Sequence, residues 1–260
     1  MPTKVDDMFL ITMAGLSSRF FAAGYKLPKY QLMLGDQTVF ELSVRSFERY
    51  FTSDKFAFVV RDIFSTPDFV RTECQRLGIQ RFEIVVLESE TRGQAETAKL
   101  ALDRLDSNES IYIFNIDTFR HGFRKPEFVD SCDGYLEVFR GPGEQWSFVE
   151  PGPENRVVRT TEKIRISDLC SDGLYYFRSG ETFKELFEEA VARDERSKGE
   201  FYVAPLYNNL IARNGDARYV IIDSKQIDFC GTPDEYLALM SNMNNRSTPS
   251  LKSENETHNN

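Results

Sequence analysis

The reading of the whole chain turns on residues 8–20, MFLITMAGLSSRF. Met8 to Met13 is a short apolar run broken only by Thr12, and Ala14-Gly15 ends it. Such a run describes a buried strand that feeds a turn. The backbone N–H groups of a glycine turn at a strand end can face an anion. Two cations follow in reach of it, Arg19 in the same segment and Lys29 ten residues on. A nucleoside triphosphate needs this combination, backbone donors for its phosphates and side-chain cations for the departing pyrophosphate and the attacked phosphorus. By itself the segment is also compatible with an ordinary strand-to-helix turn carrying two solvated cations. It is neither a Walker motif nor GxGxxG.

Outward from this segment, strand and helix signals alternate. Apolar residues at 39, 40, 42, 44 and 47 give Thr38 to Tyr50 a helical spacing. Lys55 to Val60 reads as a strand, and Thr66 to Leu77 as a helix with Thr66 as N-cap and Pro67 at the first helical position. Phe82 to Leu87 is a strand, Gln94 to Leu105 a helix, and Ser110 to Ile116 a fourth strand. Strands apolar on both faces and separated by helices imply a parallel sheet covered on both sides. Beyond residue 130 the texture changes to short strand-like pieces, Tyr135 to Phe139, Trp146 to Glu150, Arg156 to Glu162 and Gly173 to Phe177. Helical stretches at Glu181 to Arg193 and Tyr202 to Arg213 follow, then a strand at Arg218 to Ile222. The fold class expected is α/β: a Rossmann-like, mostly parallel sheet flanked by helices, with an antiparallel or mixed extension. Residues 1–241 read as one domain, 8–130 its nucleotide half and 131–241 its acceptor half. Residues 242–260 read as a disordered polar tail.

Composition narrows the function. The chain has 260 residues, a formal net charge of -9 and 41% hydrophobic residues, enough for a sizeable core. That charge disfavours nucleic acid as the main partner, because phosphate backbones need a concentrated basic face. A nucleotide substrate needs only two or three local cations. No run approaches the roughly 18 apolar residues of a membrane span, and residues 1–18 read as a first strand, not a secretory leader. Four widely spaced cysteines and two histidines leave no zinc spacing, so free thiols and a cytoplasmic location are expected.

Four further segments carry chemistry. Arg92 to Ala98 (RGQAETA) lies at a strand-to-helix junction, where Gly93 permits close approach and the Gln94 amide can read a base edge. Asp117, in FNIDTF, follows the C-terminal end of a strand, where open parallel sheets bind ligands. A carboxylate there suits Mg²⁺, which takes one or two carboxylates with phosphate oxygens. The other two are Glu162-Lys163, Gly173 to Phe177 and Gly199 to Tyr202, taken together, and Ile227 to Tyr236 (IDFCGTPDEY).

Taken together, these segments resemble the sugar-phosphate nucleotidyltransferases, whose signature runs apolar-A-A/G-G-x-G-T/S-R followed by P-K. Ala14, Gly15, Ser18 and Arg19 fall on that pattern, as do Pro28 and Lys29, while Ser17 stands at the second glycine. The resemblance spans roughly residues 8 to 240. It implies that Ala14, Gly15, Leu16, Ser17, Ser18, Gly93 and Gln94 bind the nucleotide and that Arg19 and Lys29 act in catalysis. It also implies that Glu162, Lys163, Gly173 and Glu200 bind the acceptor, with Lys163 on the acceptor phosphate, and that Asp117 holds Mg²⁺. In the segment similar to the family's W-x-D-x-G-T-P, the second metal aspartate falls on Phe229. Asp228 lies one residue early and would reach the metal only through a bulge. The implied reaction joins an NMP from an NTP to a phosphorylated small molecule, most simply a sugar 1-phosphate. Its product would be an activated sugar for capsule or other surface polysaccharide, and a homo-oligomer is compatible with it. A cytidylyltransferase acting on a non-sugar phosphate and a non-catalytic binding relative are the alternatives. A glycosyltransferase of related topology ranks last, because Asn115-Ile116-Asp117 holds one carboxylate and not two.

Overall fold

The computed structural model describes residues 7–105 and 108–247. The chain opens with β1 (Asp7–Thr12), a five-residue helix α1 (Ser18–Ala22), a small hairpin β2 (Met33–Leu34) and β3 (Gln37–Thr38), and α2 (Val39–Val44). Then come β4 (Lys55–Arg61), α3 (Thr66–Leu77), β5 (Arg81–Leu87), α4 (Gln94–Leu105), β6 (Ser110–Asn115) and β7 (Thr118–Arg120). The second half holds β8 (Gly134–Arg140), β9 (Ser147–Pro151), β10 (Val157–Glu162), β11 (Leu169–Phe177) and α5 (Gly180–Ala192). It closes with α6 (Leu206–Ala212), β12 (Ala217–Ile221), β13 (Ile227–Phe229) and α7 (Pro233–Ser247).

β6, β1, β4 and β5 lie side by side and parallel. β11 then pairs antiparallel to β6 and carries the sheet on to β8, β12, β9 and β10. The mixed extension is therefore continuous with the parallel half, in one nine-stranded sheet. Successive residues of a strand face opposite sides, and β1 shows what that does here. Met8 and Leu10 join Ala57, Val59, Ile111 and Ile113 in a core beneath α4, α5 and α6. Phe9 and Ile11 join Phe56, Phe58, Tyr112 and Phe114 in a second core beneath α2 and α3. Uninterrupted apolar runs are required because both faces are covered.

Helix boundaries depart from the sequence expectations in four places. The Thr38 to Tyr50 helix stops at Val44 and continues as a 3₁₀ segment, Arg45–Tyr50, with Phe47 outside helical geometry (φ -113°). Ser65, not Thr66, caps α3, and it does so in the left-handed region without a side-chain bond. The Thr66 hydroxyl is already engaged, donating to the Ile63 carbonyl 2.5 Å away and bonding Tyr30. The helix expected from Tyr202 begins only at Leu206, after Pro205. α7 runs to Ser247, inside the segment expected as a tail; residues 248–260 of that expectation lie outside the described residues. Among the described residues no helix is long and apolar enough to cross a membrane, and all four cysteines are free and buried.

Phe9 is fully buried, with the rings of Phe47, Tyr112 and Phe56 at 4.6, 4.8 and 5.0 Å. Phe9→Ala leaves a cavity no neighbour can fill, so it should cost about 3–5 kcal/mol in urea unfolding.

Candidate active site

A cleft of about 690 Å³ runs along the C-terminal ends of β1 and β6, where open α/β sheets place their ligands. One side of it is built by the turn after β1. Ser17 occupies the left-handed region (φ 53°) that the family signature gives to glycine. That strain is accompanied by a contact: its hydroxyl accepts the Lys29 backbone N–H at 3.2 Å, tying the turn to the segment that carries Lys29. Ala14, Gly15, Arg19 and Lys29 line the cleft. Leu16, Ser17 and Ser18 form the loop around it without lining it.

Gln94 lies on the cleft floor at the start of α4. The Thr12 hydroxyl donates to the Phe114 carbonyl at 3.2 Å, so its oxygen can only accept from Gln94. The amide nitrogen of Gln94 therefore faces Thr12 (3.2 Å) and Asn115 Oδ1 (2.5 Å), which leaves Gln94 Oε1 as an acceptor for a ligand. Gly93 (φ +121°) lies so close to Phe201 that a Cβ would collide with its backbone. The Phe201 N–H donates to the Arg92 carbonyl, and the Phe201 carbonyl accepts from Ala95 N–H. These two bonds fasten the segment carrying Glu200 and Tyr202 to the start of α4.

Asp117 stands where the two sides meet. Its Oδ2 accepts from Lys29 Nζ at 2.5 Å, and its carbonyl accepts from Cys230 N–H at 2.8 Å. Gly231 passes so near that a Cβ there would lie 3.1 Å from Asp117 Oδ2. The rest of the cleft is lined by Trp146, Glu162, Lys163, Gly173, Tyr175, Glu200, Tyr202 and Phe229. Lys163 donates to Tyr202 and to Glu162, the latter at 3.0 Å. Burial works to lower its pKa, but these partners outweigh it and hold the ammonium above the ordinary lysine range, so it is cationic at neutral pH. Glu162 also accepts from the Ser147 hydroxyl.

β13 pairs with β7 in unbroken register, Asp228 opposite Phe119 and Phe229 opposite Thr118. Without a bulge, Thr118 and Phe229 line the cleft while Asp228 binds His121 at 2.8 Å, with 47% of its side chain exposed. Glu235 lines the cleft as well, but its carboxylate accepts from Gly231 and Thr232 N–H at 2.8 and 3.0 Å. Among the described residues no three His, Cys, Asp or Glu side chains stand together as a metal site. The residues present fit Mg²⁺ in a limited sense. Asp117 gives one hard oxygen donor, already facing a cation and open to the cleft, and Mg²⁺ completes its shell with phosphate oxygens and water.

No family model and no curated protein matches the chain. Solved structures do. A nucleoside-diphosphate-sugar pyrophosphorylase from Vibrio cholerae RC9 is 48% identical over 90% of this chain and 100% of that one, with a TM-score of 0.88. This chain belongs to the nucleoside-diphosphate-sugar pyrophosphorylase family. Membership makes it a nucleotidyltransferase. The inositol-1-phosphate CTP transferase from T. maritima (14% identity, 91% of this chain and 96% of that one, TM-score 0.70) shares its fold. So does the UDP-glucose pyrophosphorylase from Acinetobacter baumannii (14%, 95% of each, TM-score 0.69).

Sequence reasoning placed Phe229 toward the cleft but passed over its aromatic partner Trp146 and the role of Tyr202. Trp146 and Phe229 meet at 4.7 Å between ring centroids and form an apolar stretch of the cleft wall. Tyr202 lies under the Lys163 ammonium, 3.9 Å from its ring centre. Aromatic residues are most often core, which hides them. The lone tryptophan inside the Gly- and Pro-rich stretch 141–146 was the available signal.

Gly93→Ala should break the junction between the two sides, through both its φ and its contact with Phe201. Hydrogen exchange at the Phe201 and Ala95 amides should rise about tenfold or more while the β1 and β6 amides keep their protection.

Proposed function

We propose that this chain transfers a nucleoside monophosphate from an NTP to a phosphorylated small molecule, a sugar 1-phosphate, and releases pyrophosphate. The observation that carries this is one cleft with cations on opposite sides, Arg19 and Lys29 against Lys163, and the Asp117 carboxylate between them. An acceptor phosphate oxygen attacks the α-phosphorus in line as the bond to the β-phosphate oxygen breaks. No protein nucleophile is needed, because positioning and charge neutralisation account for catalysis of this class. Arg19 and Lys29 neutralise the triphosphate, and the turn at Ala14-Gly15 offers it backbone donors. Gln94 Oε1 accepts a hydrogen bond from the base. Lys163 fixes the acceptor phosphate, and Glu200 receives acceptor hydroxyls. Asp117 would hold Mg²⁺, which would supply further charge neutralisation. The product class fits precursors of capsule or other surface polysaccharides.

Pyrophosphate release over four NTPs and a panel of sugar and non-sugar phosphates tests this reading, and no release with any pair would overturn it. Arg19→Ala and Lys29→Ala should each lower kcat/KM by about 10² or more. Lys163→Ala should raise KM for the acceptor far more than KM for the NTP, since only the acceptor phosphate loses its partner.

The two aspartates give an internal comparison. Asp117→Asn should abolish turnover, because the amide removes the carboxylate at the centre of the cleft. Asp228→Asn should stay within about threefold of the parent, because its carboxylate serves His121 outside the cleft. Equal loss in two folded variants would sink the assignment of Asp117 alone.

A further inference from the structure

Beneath the cleft floor lie two carboxyl groups and one guanidinium that the proposed reaction does not use. Ser171 pairs with Val138 and Tyr175 with Leu136, so three residues of β11, Asp172 to Leu174, stand opposite a single residue of β8, Glu137. This bulge sets Asp172 beside Glu137 while Asp172 also lines the cleft. Asp172 is 2% exposed, Glu137 1% and Arg120 4%. Arg120 grips Glu137 with two bonds, Nε to Oε2 at 2.6 Å and Nη2 to Oε1 at 3.2 Å. Asp172 Oδ1 accepts the Leu174 N–H at 3.0 Å, but no N–H or O–H donor reaches its Oδ2.

Were all three groups ionised, a net negative charge would remain where water does not reach, which is strongly disfavoured. One proton removes it. Glu137 is already compensated by the guanidinium, whereas Asp172 has one amide and an orphaned oxygen, so Asp172 takes the proton and Glu137 can accept it. We propose that Asp172 is a neutral carboxylic acid hydrogen-bonded to Glu137, and that Arg120, Glu137 and Asp172 form a positioning chain beneath the turn that carries Asp117. Burial, with the Glu137 charge added, pushes the Asp172 carboxyl well above the usual range, against the opposing pull of the Leu174 amide and the Arg120 charge. The charged groups facing it are Glu137 from β8 and Arg120 from β7. Glu162, Lys163, Asp117 and Lys29 line the same cleft.

The chain grips that turn at both ends. Thr118 Oγ1 donates to the Asp172 carbonyl at 3.4 Å, and Arg120 belongs to the same short strand as Thr118. Gly173 (φ +95°) lies where a Cβ would strike the Asn115 amide. Asp117 sits between these contacts, so movement of the bulge displaces it. This role rests on reading Asp117 as the reaction-side carboxylate; the proton itself does not.

Infrared difference spectroscopy of the free protein tests the proton without substrate. At about pH 8, where ordinary carboxyls are ionised, the parent should show the C=O band of a protonated acid that Asp172→Asn lacks. Asp172→Asn, which keeps shape and neutrality, should retain kcat within about threefold, while Asp172→Ala should lose about tenfold in kcat at nearly unchanged KM for NTP. Absence of the acid band in the parent, or its persistence in Asp172→Asn, overturns the proposal. So does a folded Asp172→Asn as impaired as Asp172→Ala. If no NTP and phosphate pair reacts, the reaction assignment fails while the infrared result still decides the proton.

Discussion

Asp117 is held in the cleft by parts of the chain that lie far from it in sequence. Its carboxylate meets Lys29 from the loop after β1, its carbonyl receives the amide of Cys230, and Gly231 leaves the space its oxygen occupies. Two segments far apart in sequence, around Lys29 and at Cys230-Gly231, thus converge on this one residue. The ion pair is partly solvated, with 20% and 23% of the two side chains exposed, and such a pair adds little to stability. What it does is fix geometry. With Lys29 and Asp117 each holding the other in place, this part of the cleft is set before any substrate arrives, and nucleotidyl transfer draws on such placement.

The parallel half was legible because physics leaves it few options. Strands covered on both faces must be apolar throughout, and the alternation of Phe9 and Ile11 with Met8 and Leu10 between two cores is what such a run encodes. Helix ends were harder. Thr66 looks like a cap by type, yet its hydroxyl is spent on Ile63 and Tyr30, and Tyr30 lies 36 residues away. The Arg45–Tyr50 segment tightens to 3₁₀ around Phe47, buried against Phe9 and Phe114. Tertiary packing decided both, and no local window contains it.

The site divides along the same line. Arg19, Lys29, Gln94 and Asp117 sit next to strand ends that the pattern locates, so their convergence could be read ahead. The register of β13 could also be read, since alternation alone turns Asp228 away and Phe229 inward. Arg120, Glu137 and Asp172 could not. A buried charge is intelligible only with its partner, and these three come from different strands joined by a bulge that leaves no sequence signal.

An acidic protein that takes polyanionic substrates must solve a local problem, and the pairing in the cleft shows how. Lys29 rests on Asp117 and Lys163 on Glu162, so the free cleft is close to neutral and its cations are not scattered by mutual repulsion. Each pair keeps its cation within the cleft. An incoming phosphate needs only to compete for the outward side of an ammonium, which has three donors, without stripping it from its carboxylate. Lys163 illustrates the arrangement most fully. It sits in the left-handed region (φ 56°), and its backbone N–H donates to the Trp146 carbonyl at 2.9 Å. Side-chain placement there depends on a backbone conformation that a lysine adopts at a cost. The tertiary bond to Trp146 offsets that cost, and the aromatic stretch of the cleft wall is tied by the same contact that places the Lys163 cation.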